Sequence, residues 1–390
     1  MPVDTIVGDL VTLRRGKTYK GALVGAPGPA LLGLGSIVPG GGFRNDYKTY
    51  GGDCPPGLML APGDLYVSLK GATKDGEMIG SVARVPTTVP SGRLTQDTVR
   101  LAFNERDTAF ERYLYWLLRT PDYRSYCASR ATGSAVVALS RDDFLSYLVP
   151  PLTPPRGLIV DALENVEDKI ESNRLLVALI PRLIRALVAQ VLDGNARKVS
   201  VADLAAFVNG GAYTKGASGT GRIVIRIAEL NSGLGPSTVY SEREVPNDQT
   251  AQQGDILMSW SGSLGVYRWV LGEAIVNQHI FKVLPADGYP AWLVFDRLDA
   301  VMSVLQRIAK DKATTMGHIQ RGHLVSTTIA APDPESIKRV HRRAAPLWKR
   351  LLLAERESVR LTDLRLALLR QLGTNDVRGP GAVAQIGAAK

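Results

Sequence analysis

VPPLTPPRGLIVDALENVEDKIESNRLLVALIPRLIRALVAQVL, residues 149–192, begins as a proline-rich loop and continues as a long apolar-periodic stretch in the middle of the 390-residue chain. Its apolar residues recur at alternating steps of four and three, which is the spacing of a coiled-coil seam. The predicted seam consists of Ile159, Leu163, Val166, Ile170, Asn173, Val177, Ile180, Ile184, Leu187 and Val191. The stretch therefore predicts one helix of roughly 57 Å, at 1.5 Å per residue.

A second heptad stretch, near the other end of the chain, follows the same spacing more loosely. Its predicted seam consists of Ile337, Val340, Ala344, Leu347, Leu351, Ala354, Ser358, Leu361, Arg365, Leu368 and Leu372. Two such helices in one chain can bury their seams by packing side by side and antiparallel. On the first seam, Asn173 either sets the register of this pair or is a slightly exposed polar residue at a helix crossing.

The sequence outside these helices forms an internal repeat of two copies, with a period of about 190 residues. The paired positions are, in chain order, Asp9 with Asp203, Gly16 with Gly210, Lys20 with Lys215, Gly63-Asp64 with Gly254-Asp255, Gln96 with Gln278, and Gly133 with Gly317. The first copy is longer by about nine residues, and we place this insertion in the loop from Gly71 to Pro90, because loops tolerate insertions cheaply. Each copy precedes one of the helices.

These patterns divide the chain into alternating domains and helices. We predict a first domain at residues 1–151, a central helix at 152–196, a second domain at 197–332 and a C-terminal helix at 333–373. Both domains read as strands and turns. Residues 374–390 are rich in Gly and Ala and are predicted to be a disordered tail.

Charge and composition limit the classes of function. The net charge of +10 and the pI near 9.6 favour a polyanionic partner. Residues 334–373 carry ten basic and four acidic residues, and a partner protein, a phosphate backbone or a merely solvated face each explains this surplus. Cys54 and Cys127 have neither CxxC spacing nor a neighbouring histidine, so we expect no disulfide framework and no zinc site. No signal peptide or clean membrane span is recognised, and we expect a cytoplasmic protein.

Motifs that suggest enzymatic chemistry fail on their spacing. Gly16-Lys17-Thr18 imitates the end of a phosphate-binding loop, but Val11 stands where that loop needs glycine. Gly33 and Gly35 lack the third glycine of a dinucleotide fingerprint, because position 38 is Val38. The four histidines form no HxxxH or HExxH spacing. We therefore expect no catalytic residue, no metal site and no cofactor in this chain.

The order of these motifs, occurring twice with a heptad helix after each copy, resembles the specificity subunit of type I restriction-modification systems over residues 1 to about 373. The matching marks are Gly63-Asp64, Gly254-Asp255, the loop Ser259 to Gly265 (SWSGSLG), the Gln278 segment, Gly133, Gly317 and Pro150-Pro151. The resemblance implies an α+β fold with two similar target-recognition domains separated by two long helices, packed as an antiparallel coiled coil with a pseudo-twofold internal repeat. Thr153 to Gly157 departs from the proline-leucine-proline loop usual in this family, which bears on partner contacts.

The same resemblance implies a non-catalytic subunit that chooses the double-stranded DNA sequence for an associated adenine methyltransferase. Two methyltransferase subunits would dock on the helices, and a restriction subunit would join in some complexes. S-adenosylmethionine would then belong to the methyltransferase, and ATP with Mg to the restriction subunit. The alternative is a coiled-coil scaffold that assembles partner proteins without reading DNA.

Reading DNA requires side chains that carry paired donors and acceptors on loops, with cations for the phosphates. Both domains offer such loops after the opening glycine and around the later turns. The predicted DNA contacts are Thr18, Tyr19, Lys20, Lys70, Lys74, Arg84, Arg93 and Arg130 in the first domain, and Tyr213, Thr214, Lys215, Ser261, Ser263, Tyr267, Arg268 and Lys312 in the second. Gln96 and Gln278 are either hydrogen-bonding core residues or base contacts.

Overall fold

The computed structural model describes residues 5–71, 76–133, 137–311 and 317–374. Two of the predicted DNA contacts, Lys74 and Lys312, lie outside the described residues, as does the predicted tail beyond Thr374. The chain forms two compact units, of which the first comprises Met1–Asp168 and Thr362–Lys390 and the second Lys169–Leu361. Each unit thus combines one sheet-containing domain with parts of both long helices.

The first domain consists of short strands followed by helices. Its elements are α1 (Val7–Leu10), β1 (Val11–Arg15), β2 (Ala30–Leu32), β3 (Met59–Leu60), β4 (Leu65–Val67), β5 (Val82–Arg84), β6 (Gly92–Leu94), β7 (Val99–Phe103), α2 (Thr108–Leu117), α3 (Pro121–Arg130) and α4 (Arg141–Leu145). The Asp107 carboxylate caps α2 by accepting from the amides of Ala109 and Phe110. This helix buries Tyr113, Leu114 and Trp116 in the domain. The sequence analysis did not identify α2 and α3.

The first long helix, α5 (Pro154–Asn195), leads to the second domain. The remaining elements are β8 (Arg197–Ser200), α6 (Val201–Leu204), β9 (Ala205–Asn209), β10 (Arg222–Ile225), α7 (Ile227–Ser232), β11 (Val239–Ser241), β12 (Thr250–Ala251), β13 (Ile256–Ser259), β14 (Gly265–Arg268), β15 (Ala274–Val276), β16 (Ile280–Pro285), α8 (Ala291–Asp311), α9 (Arg321–Ser326), β17 (Thr328–Ala331) and α10 (Pro334–Gly373). The 21-residue helix α8 buries Trp292, Leu293 and Leu298 in the core of this unit. The sequence analysis did not identify this helix either.

Both domains contain the same two sheets, which confirms the predicted repeat. Strands β1-β7-β4-β5 of the first domain correspond in order to β9-β16-β13-β14 of the second, and each neighbouring pair is antiparallel. The three-stranded sheet β2-β6-β3 corresponds to β10-β15-β12, with one parallel and one antiparallel pair in each set. In the second domain β11 extends this sheet by pairing antiparallel with β10. Residues 68–81 connect β4 to β5, whereas only 260–264 connect β13 to β14. Most of the predicted insertion therefore lies in this hairpin.

The Gly-Asp turn has the same structure in both copies. Gly63 and Gly254 adopt φ values of 90° and 94°, a region that favours glycine. One carboxylate oxygen of Asp64 and of Asp255 accepts the amide three residues earlier at 2.8 Å. Their other function is electrostatic, because Asp64 pairs with Arg100 at 2.9 Å and Asp255 with Lys282 at 3.1 Å. The repeated sequence motif therefore closes a turn and holds a cation of the neighbouring strand.

The two long helices pack antiparallel within each unit. In the first unit, Glu167 of α5 accepts a hydrogen bond from Arg365 of α10 at 2.8 Å. Arg156, near the start of α5, donates to the carbonyl of Thr374, just after the end of α10, at 3.5 Å. In the second unit, Ile180 and Ile184 of α5 share one core cluster with residues at the start of α10. Of the predicted seam residues, the buried ones are Ile159, Leu163, Val166, Asn173, Ile180, Ile184, Leu187, Ile337, Val340, Ala344, Leu351, Ala354, Leu368 and Leu372, and the partly buried ones are Ile170, Val177, Val191, Leu347, Ser358, Leu361 and Arg365.

Asn173 is fully buried in this seam and makes polar contacts to α10. Its Nδ2 donates to a Glu357 carboxylate oxygen at 2.9 Å, and Lys169 lies 3.3 Å from the same oxygen. The hydrogen bond from Asn173, together with Lys169, holds the pKa of Glu357 below its usual value. These contacts fit the first of the two readings of Asn173, since a buried polar pair is satisfied in one alignment of the helices.

The outward face of α5 is unusually apolar. An 18-residue window within Pro154–Leu192 has a mean hydropathy of 2.0, so by length and composition this helix passes the test for a membrane span. Core helices of soluble proteins pass the same test, but only 22% of this window is buried. Leu175, Leu179 and Leu183 are each about half exposed, and they recur every four residues along one side of the helix.

Candidate nucleic-acid interface

A glycine-anchored loop follows the first strand of the first domain. A Cβ atom at Gly16 would lie 1.9 Å from the Thr95 carbonyl oxygen, so only glycine fits between β1 and the end of β6. The Gly16 amide donates to the Thr98 carbonyl at 3.1 Å, which fixes the start of the loop. Immediately afterwards the chain turns outward, and the side chains of Lys17, Thr18, Tyr19 and Lys20 are all exposed. We name residues 17–20 the first loop.

Arg93 supports the first loop from beneath. Only 4% of this residue is exposed, and its guanidinium lies 4.8 Å from the centre of the Tyr50 ring. The guanidinium donates to backbone carbonyl oxygens at 2.9–3.1 Å, namely those of Asp53, Thr18 and Leu94. Tyr50 in turn accepts the Lys20 amide at 3.2 Å. Arg93 is therefore not the DNA contact that the sequence analysis expects; it holds the loop that carries three other candidates.

The second domain has an equivalent loop with a different support. A Cβ atom at Gly210 would lie 2.2 Å from the Val276 carbonyl oxygen, which repeats the constraint found at Gly16. In the loop that follows, residues 212–215, Lys215 is exposed while Tyr213 and Thr214 are partly buried. The Tyr213 hydroxyl donates to Gln249, and Arg243 lies 5.5 Å from its ring. We name residues 212–215 the second loop.

Arg84 and Arg268 are corrected in the same way as Arg93. They occupy equivalent positions, as the last residues of the edge strands β5 and β14. Both Nη atoms of Arg84 donate to Glu164 of α5 at 2.9 Å, and Arg268 donates to Glu355 of α10 at 2.6–3.0 Å. Each arginine also lies 4.5 Å from an aromatic ring. These side chains bind each domain to the helix that follows it, so the structure gives them a contact within the protein where the sequence analysis expects a DNA contact.

The remaining candidates differ in how strongly their side chains are engaged in contacts within the protein. Lys70 pairs with Asp97 and Arg130 with Asp143, both at 3.0 Å, and each cation keeps nearly half of its side chain exposed. Hydrogen bonds from Ser140 and Arg130 lower the pKa of Asp143, so this partner stays ionised. In the second domain, the Tyr267 hydroxyl donates to Asn231 at 2.7 Å.

Two serines and two glutamines complete the predicted set. Ser263 is exposed, and Ser261 is partly buried where its backbone bridges to residue 318. Gln278 is exposed, with its amide 3.2 Å from the His279 ring nitrogen. The side-chain oxygen of Gln96 is buried and has no hydrogen-bond partner in the described part of the chain.

In the first unit most exposed candidates lie on the first loop, and in the second unit most lie on the second loop and the β13–β14 hairpin. Hydroxyl, phenol and ammonium groups on such loops can hydrogen-bond to base edges and pair with phosphates. Among the described residues, no group of three or more His, Cys, Asp or Glu is placed to hold a metal ion. The described loops therefore offer the chemistry of binding.

Neither a protein-family model nor a curated protein matches the sequence. Solved structures do match. The type I restriction-modification system S subunit from M. genitalium is 14% identical, with 96% of each chain covered and a TM-score of 0.60. The HsdS subunit from Thermoanaerobacter tengcongensis is 16% identical, with 95% of this chain and 96% of that one covered and a TM-score of 0.33. A chain from a structure on complex assembly and conformational transition of the type I R-M system is 16% identical, with 95% of this chain and 97% of that one covered and a TM-score of 0.35.

The likeness to the M. genitalium S subunit shows the fold. It extends over nearly the whole of both chains, so it includes both domains and both long helices. The predicted α+β fold class, with two similar domains and two long antiparallel helices, is confirmed. At this level of sequence identity the likeness concerns architecture, and this chain has the fold of a type I restriction-modification S subunit.

Proposed function

We propose that this chain is the DNA sequence-specificity subunit of a type I restriction-modification complex. The observation that carries the proposal is the pair of topologically equivalent domains. Each domain has a loop that begins at a tightly packed glycine, and in each a partly buried arginine binds the domain to a long helix. A protein that reads a bipartite target needs two similar reading domains on stiff supports. The shared fold supports this function, although the sequence identity is low.

In this proposal the two loops read one half of the target each. The first loop would use Thr18, Tyr19 and Lys20, and the second would use Tyr213, Thr214 and Lys215. Further DNA contacts would come in the first domain from Lys70 and Arg130, and in the second from Ser261, Ser263 and Tyr267. Such side chains supply donors, acceptors and positive charge, whereas the arginines that hold the loops and the domains make no contact with DNA.

The helices would dock two methyltransferase subunits. Leu175, Leu179 and Leu183 on α5 are suited to this role, because an exposed row of large apolar side chains on a surface helix favours a protein partner. The chain itself would be non-catalytic. S-adenosylmethionine would be bound by the methyltransferase, ATP and Mg by an accompanying restriction subunit, and the complex would act in the cytoplasm.

The test is to purify the chain with the methyltransferase encoded beside it and to select bound duplexes from a random library. A split consensus sequence is the expected result. Tyr19→Ala should then alter one half of the consensus and Tyr213→Ala the other. Tyr289→Ala should alter neither, because Tyr289 follows the end of β16 that pairs with the start of β9, at the opposite end of these strands from the second loop. Stable assembly with the methyltransferase but without any consensus would refute the proposal in favour of a scaffold.

A further inference from the structure

A row of cations runs along one side of α10 in the second unit. Its members are Lys338, Arg342, Lys349, Arg356 and Arg360. At 100° per residue these positions fall within about 40° of one another around the helix axis. Four of the five are exposed and Arg356 is partly buried. We name this set the basic row; it spans about 33 Å at 1.5 Å per residue.

Four of the five cations of the basic row have no carboxylate partner among the described residues. In the described part of the chain, no carboxylate pairs with Arg342, Lys349, Arg356 or Arg360. Lys338 pairs with Glu335 at 2.7 Å, but both side chains are about three-quarters exposed, so this pair contributes little. The row therefore presents a net positive surface.

The acids of the same stretch of α10 are engaged on its other sides. Glu355 is used by Arg268, and Glu357 by Asn173 and Lys169. These carboxylates are engaged with Arg268, Asn173 and Lys169, and neither pairs with a cation of the row. The separation of acids and bases is thus built into the packing of the helix.

The partner that fits is a regularly spaced polyanion. Duplex DNA carries a phosphate every 3.4 Å on each strand, and one turn of the duplex is about 34–36 Å, close to the length of the row. Of the apolar residues beside it, Pro346 and Leu353 are exposed, whereas the outward face of α5 has three half-exposed leucines. The leucine face suits a protein, and the basic row suits phosphates.

We infer that the basic row binds the phosphate backbone of duplex DNA, outside the bases read by the loops. This inference rests on the proposed function and extends it to a surface that contributes affinity without sequence preference. Each phosphate contact releases counterions, so its loss lowers the slope of log affinity against log salt by about 0.9.

The experiment uses the full chain with its methyltransferase and the fourfold variant Lys338→Gln, Arg342→Gln, Lys349→Gln and Arg360→Gln. Binding to a selected duplex and to a random duplex is measured between about 50 and 200 mM salt. The slope should fall by about 3 to 4 on both duplexes, so that over this fourfold range the unaltered chain loses about 100-fold more affinity than the variant. The selected consensus should stay the same.

A matched control removes the same charge elsewhere through Arg44→Gln, Lys48→Gln, Arg141→Gln and Arg307→Gln, all at exposed positions. Its slope should stay close to that of the unaltered chain. If both variants give the same slope, the inference is wrong. It is also wrong if the row variant loses the methyltransferase at an unchanged slope, since the row is then a protein-docking surface.

If the proposed function is wrong, no consensus sequence is found for the unaltered chain or for either variant. The slope of log affinity against log salt on the random duplex still shows whether the basic row binds phosphates. If the fourfold variant does not fold, the pairs Lys338→Gln with Arg342→Gln and Lys349→Gln with Arg360→Gln are measured separately. Each pair should then lower the slope by about half as much.

Discussion

Replacing Arg84 with Met should loosen the first domain from α5 without unfolding the second unit. The Arg84 side chain is 26% exposed and that of Glu164 is 18% exposed, so the pair is screened only in part. Met keeps the length and apolar body of the arginine. It removes two charge-assisted hydrogen bonds of 2.9 Å and leaves the Glu164 carboxylate with the Trp116 indole NH and, at 4.0 Å, Arg112.

The expected cost follows from this geometry. Removing one partner of a fully buried ion pair costs about 3–5 kcal/mol, because the other charge is left uncompensated. Partial exposure and the remaining partners of Glu164 reduce this to about 2–3 kcal/mol. At 1.4 kcal/mol for each factor of ten, amides protected by this contact should exchange about 30- to 150-fold faster.

Hydrogen exchange followed by mass spectrometry provides the assay, since it reports each unit separately. Peptides from residues 108–117 and 154–168 should exchange faster, whereas those from 256–268 should keep their rates. Combining Arg84→Met with Glu164→Gln should cost less than the two single changes together, by about 1–2 kcal/mol. The reasoning is refuted if Arg84→Met leaves the first unit unchanged, or if the exposed change Arg44→Met has the same effect.

Three further outcomes are expected. Gly16→Ala should destabilise the first unit by about 2–4 kcal/mol because of its clash with a carbonyl, whereas Gly57→Ala, which meets nothing within 4 Å, should stay within about 0.5 kcal/mol in urea unfolding. Because the pKa of Glu357 is lowered in the folded protein, its ionised carboxylate stabilises the fold above the ordinary glutamate pKa, and this free energy is lost as pH falls through the lowered pKa. Thermal unfolding between pH 6 and pH 3 should therefore show a smaller loss of stability for Asn173→Leu than for the unaltered chain. Arg93→Met should abolish one half of the selected consensus and spare the other, and Arg93→Lys should not rescue it, because one ammonium cannot reach three carbonyl groups; loss of both halves would contradict its role beneath the first loop.

The helices and the repeat were predictable because they leave periodic signals in the sequence. Apolar spacing fixed the seam residues, and the Gly-Asp turn marked the same point of both sheets. Helices α2, α3 and α8 were missed between the repeated motifs, because none of those motifs falls on them. Their amphipathic patterns, such as the buried Trp292, Leu293 and Leu298 of α8, were the available signal.

The candidate site was predictable only in part, because burial of a cation is decided by distant partners. Arg84 meets Glu164 across 80 residues, and nothing local to either residue announces the pairing. One signal did exist, since Arg84 and Arg268 stand at the same place in the repeat. The match alone does not decide a role, because Lys20 and Lys215 match as well and both are exposed. The two arginines differ from these lysines in having a glutamate partner on a long helix.

Within each domain, the residues that hold the frame are engaged with other protein groups, whereas the lysines proposed to read DNA, Lys20 and Lys215, are exposed. Both copies keep the anchoring glycine, the Gly-Asp turn with its cation, and the arginine that binds a helix glutamate. The support of the loop differs, because Arg93 at the centre of β6 corresponds to the buried Ile275 of β15. A protein that binds two different half-sites requires equal frames, so that both loops are held at a defined place, and unequal loops, so that different bases are preferred. Exchanging residues 17–20 for 212–215 should therefore transfer a sequence preference only if Arg93 and Tyr50 are replaced with them.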